Sequence, residues 1–293
     1  MVQTFAMPAR GWQHQFIHTN QVKLHYVTQG EGDLVILLHG FFEFWYSWRH
    51  QIPVLARRFK VVVPDLRGYN DSDKPLKGHD LTTLTADIAA LIRGLGYQRA
   101  YVVGHGWGGT LAWSLAQTCP HLLQKLVILS GVHPQQWQRA VLKNLDALRR
   151  SWPIWISQLP PLPEWLLESV VPDMVMRLLQ TETVRKTAFS LQDVQLYGAA
   201  LRKPGALAAA LKQYAHAFSW QQGLWSAGIH LPEIATPTLV LWGEDDTLLS
   251  QGLNEGVEQH LVGPLQMKSI PQCGHWIQQE VPHTVNRLLL DFL

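Results

Sequence analysis

Short unbroken runs of apolar residues punctuate the first half of the chain, at 34–38, 61–63, 101–103 and 126–129, and another follows at 238–242. A strand with one face in water alternates apolar and polar residues. Unbroken runs fit strands covered on both faces, as in a mainly parallel sheet. Helical patterns lie between them. Across 81–95 the residues Leu84, Ile88, Leu91, Ile92 and Leu95 recur at three- and four-residue steps, which draws one apolar stripe along a helix. Asp80 is placed to cap its start, and Gly94 and Gly96 mark its end. Strand alternating with helix predicts a doubly wound α/β sheet. A hairpin over 15–29, turning at Asn20, would add antiparallel strands at the N-terminal side. A last helix follows Pro282 and directs Leu288, Leu289 and Phe292 inward.

The strand pattern stops between 134 and 225 and resumes at Thr238. The intervening segment has helical stretches broken by prolines, as at 158–163. This predicts an α/β core built from 1–133 and 226–293, with 134–225 as a helical cap domain over the C-terminal edge of the sheet. Open α/β sheets bind ligands at that edge. Trp137, Trp152, Trp155, Trp165, Trp220 and Trp225 fall in the insertion, either as the core of a small subdomain or as the wall of an apolar pocket.

Composition narrows the class. The chain has 293 residues, 47% of them hydrophobic, enough for one large core with an inserted subdomain. The net charge is +2 with no long run of Lys or Arg, so no nucleic-acid partner is expected. Cys119 and Cys273 could pair, but they form no metal-ligand spacing, and a reduced, cytoplasmic chain is the simpler expectation. The first residues lack the apolar segment of a secretory signal, and no run approaches the ~18 residues of a membrane span. The 14 histidines show no H-E-x-x-H spacing, so neither metal nor organic cofactor is expected. The default assembly is a monomer or weak homodimer.

The candidate chemistry begins at 103–109, Val-Gly-His-Gly-Trp-Gly-Gly. A strand precedes it and a helical run over 110–117 follows, the context of a nucleophile elbow. Yet the central residue, Gly106, has no side chain. Asp246 follows the run at 238–242, with Asp245 as the reserve acid. His275 follows a strand expected over 265–270. Elbow, acid and histidine in this order match the chain order of an α/β-hydrolase triad. Asp246 would orient His275, and His275 would activate a water. The backbone N–H groups of Phe41 and Trp107 fall where an oxyanion hole is built.

Two segments carry a resemblance. Residues 39–49, His-Gly-Phe-Phe-Glu-Phe-Trp-Tyr-Ser-Trp-Arg, and 65–75, Asp-Leu-Arg-Gly-Tyr-Asn-Asp-Ser-Asp-Lys-Pro, resemble the epoxide hydrolases of the α/β-hydrolase fold. The histidine segment 273–280 and the cap segment from 203 to Tyr214 are similar too. Trp107 also fits the related haloalkane dehalogenases, but the His-Gly-Phe start fits epoxide hydrolases better. The resemblance implies a two-step reaction on a small apolar epoxide or related electrophile. An elbow Asp attacks an epoxide carbon to form an ester, two cap tyrosines hydrogen-bond the epoxide oxygen, and the histidine activates water to cleave the ester. Tyr214 stands where one cap tyrosine belongs. His39, Trp155 and Pro153 are placed on the substrate side.

Three positions depart from that pattern. Gly106 replaces the nucleophilic Asp, Phe42 the usual proline after His-Gly-Phe, and Pro153 stands about where the second cap tyrosine would be. His105 and Trp107 are expected to point elsewhere and not to substitute for the missing carboxylate. Three changes around one pocket read as divergence rather than a single knockout substitution. The expected activity is weak or altered. The alternative is a non-catalytic relative, or a nucleophile knockout, that binds an apolar ligand.

Overall fold

The computed structural model describes residues 11–137, 164–217, 232–249 and 251–293. The segments that carry Trp152, Pro153, Trp155, Trp220 and Trp225 lie outside the described residues. An eight-stranded sheet in the order β1-β2-β4-β3-β5-β6-β7-β8 forms the centre. Its strands are β1 (Gln13–Thr19), β2 (Val22–Gln29), β3 (Leu34–Leu38), β4 (Lys60–Pro64), β5 (Ala100–His105), β6 (Leu123–Leu129), β7 (Thr238–Gly243) and β8 (Leu265–Ile270). The pairs β1–β2 and β2–β4 are antiparallel; the remaining pairs are parallel. The sheet is thus doubly wound and mostly parallel, as the alternation of patterns predicts.

The unbroken apolar runs have a direct cause. All residues of β3 and β7 are buried, because helices cover both faces. Leu34, Ile36 and Leu38 pack with Leu84, Ile88 and Trp113 on one side. Val35 and Leu37 pack with Ile52, Leu55, Val285 and Leu289 on the other. The helices on the first side are α2 (Leu81–Gly94) and α3 (Trp107–Thr118). Those on the second include α1 (Ile52–Leu55) and α7 (Pro282–Phe292). Leu288 and Leu289 are buried and Phe292 is half-buried. Asp80 caps α2 as expected, accepting from the Thr83 N–H at 2.9 Å.

The edges read differently. β1 and β8 are largely exposed along their length. The β1–β2 turn is made by Asn20 and Gln21 at φ 45° and 61°, the two positive dihedrals of a type I′ hairpin. Asn20 donates to Asp87 at 2.7 Å, tying the turn to α2.

Between β6 and β7 in sequence come α4 (Glu164–Thr181), α5 (Leu191–Leu201) and α6 (Ala206–Ala217). A capping box between Ser190 and Asp193 starts α5. The same Asp193 accepts from the Tyr46 hydroxyl at 2.9 Å and sits 3.3 Å from Arg49. From α6, Gln213 donates to the Arg67 carbonyl at 2.6 Å and accepts from the Trp107 indole N–H at 3.0 Å. Buried polar bridges of this kind tie α5 to the segment after β3, and α6 to the loop after β4 and the start of α3. Unpairing either end leaves a desolvated polar group that costs about 1–3 kcal/mol. Cys119 and Cys273 are free thiols. Among the described residues, no helix is long and apolar enough to cross a membrane.

Candidate active site

β5 ends at His105 and α3 begins at Trp107, so Gly106 alone makes the turn, at φ 51° and ψ −112°. The flanking glycines are required by close approach. A Cβ on Gly104 would lie 2.3 Å from the Gly108 carbonyl oxygen, and one on Gly108 would lie 2.4 Å from the Leu38 carbonyl oxygen. Gly106 is different. The first atom a Cβ there would meet is His275 Nε2 at 3.4 Å, an ordinary contact, followed by Gly40 Cα at 3.7 Å. Space therefore admits a side chain at 106. The cost of one is backbone strain, about 1–3 kcal/mol for a non-glycine residue in a sparsely populated conformation.

His275 stands on the loop after β8, and Asp246 on the turn after β7. The Nδ1 of His275 lies 2.9 Å from Asp246 Oδ2. The second oxygen of Asp246 accepts from the backbone N–H groups of Leu248 and Leu249 at 2.9 and 2.8 Å. A carboxylate so held fixes the imidazole tautomer. With Nδ1 engaged, Nε2 faces Gly106 and, among the described residues, takes no hydrogen-bond partner. Burial alone would push the His275 pKa down. The negative charge of Asp246 and its hydrogen bond outweigh burial, with Glu43 and Glu280 adding to them, so the imidazole sits above its ordinary value.

A cavity of about 90 Å³ opens above Gly106, several times the ~10–15 Å³ that holds one water. Phe41, Trp107, Trp137, Tyr214 and Trp276 wall it with aromatic rings, and Leu178 and Leu179 of α4 close it from above; Gly106, His275 and Glu43 are its polar end. Tyr214 packs on Phe41 at 3.8 Å between ring centroids and on Trp107 at 5.0 Å. Burial raises its phenol pKa, so the hydroxyl keeps its proton and remains a donor. The structure thus brings together Gly106, Asp246, His275, Phe41, Trp107 and Tyr214. Trp107 borders the cavity, with its indole N–H spent on Gln213. Trp137, from the insertion, lines the cavity as well.

His39 goes elsewhere than expected. Its Nδ1 lies 2.9 Å from the Gly40 carbonyl, its Nε2 accepts from the Leu66 N–H at 3.0 Å, and its ring packs edge-on against Tyr69. Both nitrogens are used, Nε2 in joining the loops after β3 and β4, and the residue does not border the cavity. Pro153 and Trp155 lie outside the described residues. Phe42 adopts φ 61°. Proline, whose ring fixes φ near −65°, cannot occupy that conformation, so the departure at 42 is matched by the backbone.

One group escaped the sequence reading as a partner. Glu43 is 3% exposed, its Oε2 accepts from the Gly40 N–H at 2.6 Å, and the same oxygen lies 2.9 Å from His105 Nδ1. The other nitrogen of His105 reaches the His275 carbonyl at 3.0 Å. Burial raises the Glu43 pKa, but the His105 charge, its hydrogen bond and the Gly40 N–H bring it below the ordinary value. His105 therefore ties the loop after β3 to the loop that carries His275. A lone Glu three residues after Gly40 carries no motif of its own, and only the short loop geometry reveals it.

Comparisons with known proteins bear on the fold and family. Residues 33–282 match the family model described as alpha/beta hydrolase fold. The chain is 33% identical to epoxide hydrolase 3 of Xenopus tropicalis over 291 residues, covering 96% of this chain and 78% of that one. It is 35% identical to the AB hydrolase superfamily protein YfhM of Bacillus subtilis, covering 97% and 98%. Among solved structures, a Bacillus megaterium epoxide hydrolase in complex with an inhibitor superposes with a TM-score of 0.85 at 28% identity, covering 95% and 99%. The chain belongs to the α/β-hydrolase family and, within it, to the epoxide-hydrolase-like proteins.

Proposed function

We propose that this protein opens small apolar epoxides by direct addition of water, slowly, with His275 as the base and no ester intermediate. The observation that carries the reading is the imidazole Nε2 standing 3.4 Å from the Cβ position of a residue that has no side chain. A water seated there gives its proton to His275 as its oxygen bonds to the ring carbon. The C–O electron pair passes to the epoxide oxygen, which takes a proton from Tyr214. The product is a diol, and proton exchange with solvent restores both residues. Asp246 fixes the tautomer and balances the imidazolium. The backbone N–H groups of Phe41 and Trp107 are assigned to the developing negative charge. The helices of 134–225 act as a cap that excludes bulk water and supplies the apolar wall.

The rate is expected to be low. Losing the nucleophile of a covalent hydrolase costs on the order of 10⁶ in turnover, and general-base activation of water recovers roughly 10²–10⁴. The test is diol formation from a styrene-type epoxide by the unmodified protein beside His275→Gln. Turnover that collapses in the variant supports the reading. If neither protein forms diol, the second reading stands, a binding protein for apolar ligands. The apolar walls of the cavity and the missing carboxylate favour that alternative.

A further inference from the structure

We infer that the space at Gly106 is a seat for a second substrate, a small monovalent anion such as formate or azide, and that the protein transfers this anion to the epoxide to give a β-substituted alcohol. The inference rests on the proposed epoxide-opening site and names a co-substrate for it.

The geometry singles out this spot. The cavity is mostly apolar; its polar floor brings Gly106 and His275 together beside Glu43, with Thr110 and Tyr214 also in the lining. A single added carbon at Gly106 would touch His275 Nε2 at 3.4 Å, Gly40 Cα at 3.7 Å and His275 Cε1 at 3.8 Å, with nothing closer. The floor therefore has room for a compact group and places a nitrogen with no protein partner, among the described residues, against it. When His275 is protonated, that nitrogen is a charged donor. The spot also lies at the start of α3, where the helix dipole favours negative charge by a few tenths to 1 kcal/mol. Glu43 opposes an anion here, but its Oε2 is engaged by the Gly40 N–H at 2.6 Å and by the His105 ring at 2.9 Å. Asp246 is turned to the far side of the imidazole and compensated by two backbone N–H groups.

The step balances without another reagent. The anion's lone pair forms the new bond to the ring carbon, the C–O pair moves to oxygen, and Tyr214 supplies the proton, which solvent returns. One anion and one proton are consumed per epoxide. Azide gives the azido alcohol; formate gives the hydroxyalkyl formate ester. A bound, oriented nucleophile next to the electrophile gains from proximity, and azide or formate is a better nucleophile than water.

The experiment uses the full chain with styrene oxide and sodium azide, with azido alcohol and diol separated by chromatography and the protein-free reaction subtracted. Azido alcohol formation that saturates in azide and exceeds the protein-free rate by at least ~10-fold is expected, since oriented attack carries a large entropic advantage. Gly106→Asp places a carboxylate in the seat; it should lose the azido product and gain diol. Bulky benzoate should neither react nor compete. His275→Gln, which leaves the turn backbone untouched, should lower the apparent affinity for azide several-fold. Should Gly106→Asp misfold, the azide saturation curve and the His275→Gln comparison decide the matter alone. Diol formation that continues with no saturable azido product overturns the inference and leaves the hydrolytic reading intact. A product yield equal in Gly106→Asp and the unmodified protein also overturns it. Absence of both products in the unmodified protein overturns both.

Discussion

The substitution Asp246→Asn isolates what the acid does for His275. Two backbone N–H groups, of Leu248 and Leu249, already point at one Asp246 oxygen at 2.9 and 2.8 Å. In the variant the amide oxygen must stay with them, because an NH₂ group there would set donors against donors. The NH₂ is then forced toward His275 Nδ1, where the carboxylate oxygen stands at 2.9 Å. An amide that donates to Nδ1 puts the ring proton on Nε2, the atom that faces Gly106. The base then presents a proton to the cavity instead of a lone pair. A comparable wrong-tautomer change in a serine protease lowers turnover about 10⁴-fold, which corresponds to about 5.5 kcal/mol at 1.36 kcal/mol per decade. Diol formation from styrene oxide is the assay, with the pH–rate profile recorded for both proteins. A loss near that size with a downward shift of the inflection is expected. A loss below about tenfold with an unmoved inflection would refute the tautomer argument.

Other outcomes follow from the same geometry. Gly106→Asp should raise diol formation by several orders of magnitude, up to the ~10⁶ that a nucleophile is worth, with a covalent adduct visible by mass spectrometry under single-turnover conditions; absence of both would mean that other departures have also dismantled the site. Activity of the unmodified protein should rise with pH through an inflection above the ordinary histidine value of ~6.5, because His275 acts as the base and Asp246 raises its pKa; an inflection below that value would contradict the assignment. Gly108→Ala places its Cβ 2.4 Å from the Leu38 carbonyl and should destabilise by roughly 1–3 kcal/mol or more, read as a lower Tm. Arg67 and Asp87 are buried and doubly paired at 2.6 and 2.7 Å; Arg67→Met leaves the buried carboxylate without its charge partner, with only Asn20 still donating to it, and should cost about 3–5 kcal/mol in denaturant titration.

Much of this fold is legible in the chain because its signals are local. The buried runs at 34–38 and 238–242 have no alternation because both faces are covered, and Asp80 caps α2 through its own side chain. The run at 265–270 forms β8 although it is exposed, being an edge strand. The chain order of elbow, acid and histidine brought the three residues to one place. What stayed hidden depends on contacts between segments far apart in sequence. Glu43 reaches His105 across 62 positions, and Gln213 reaches Trp107 across 106. Neither pair has a spacing rule. His39 misled for the same reason: its position beside Gly40 suggested the cavity, but its ring bridges the loops after β3 and β4. The conformation of Phe42 was likewise invisible, since nothing in the residue type announces a positive φ.

The central claim is that water, not a protein carboxylate, attacks the epoxide. A single turnover in H₂¹⁸O, with protein in excess over styrene oxide, tests it most directly. Every diol molecule formed by the unmodified protein in that first turnover is expected to carry one ¹⁸O. Diol whose added oxygen is unlabelled, with the label appearing in that same turnover in a protein carboxylate such as that of Glu43, would contradict it.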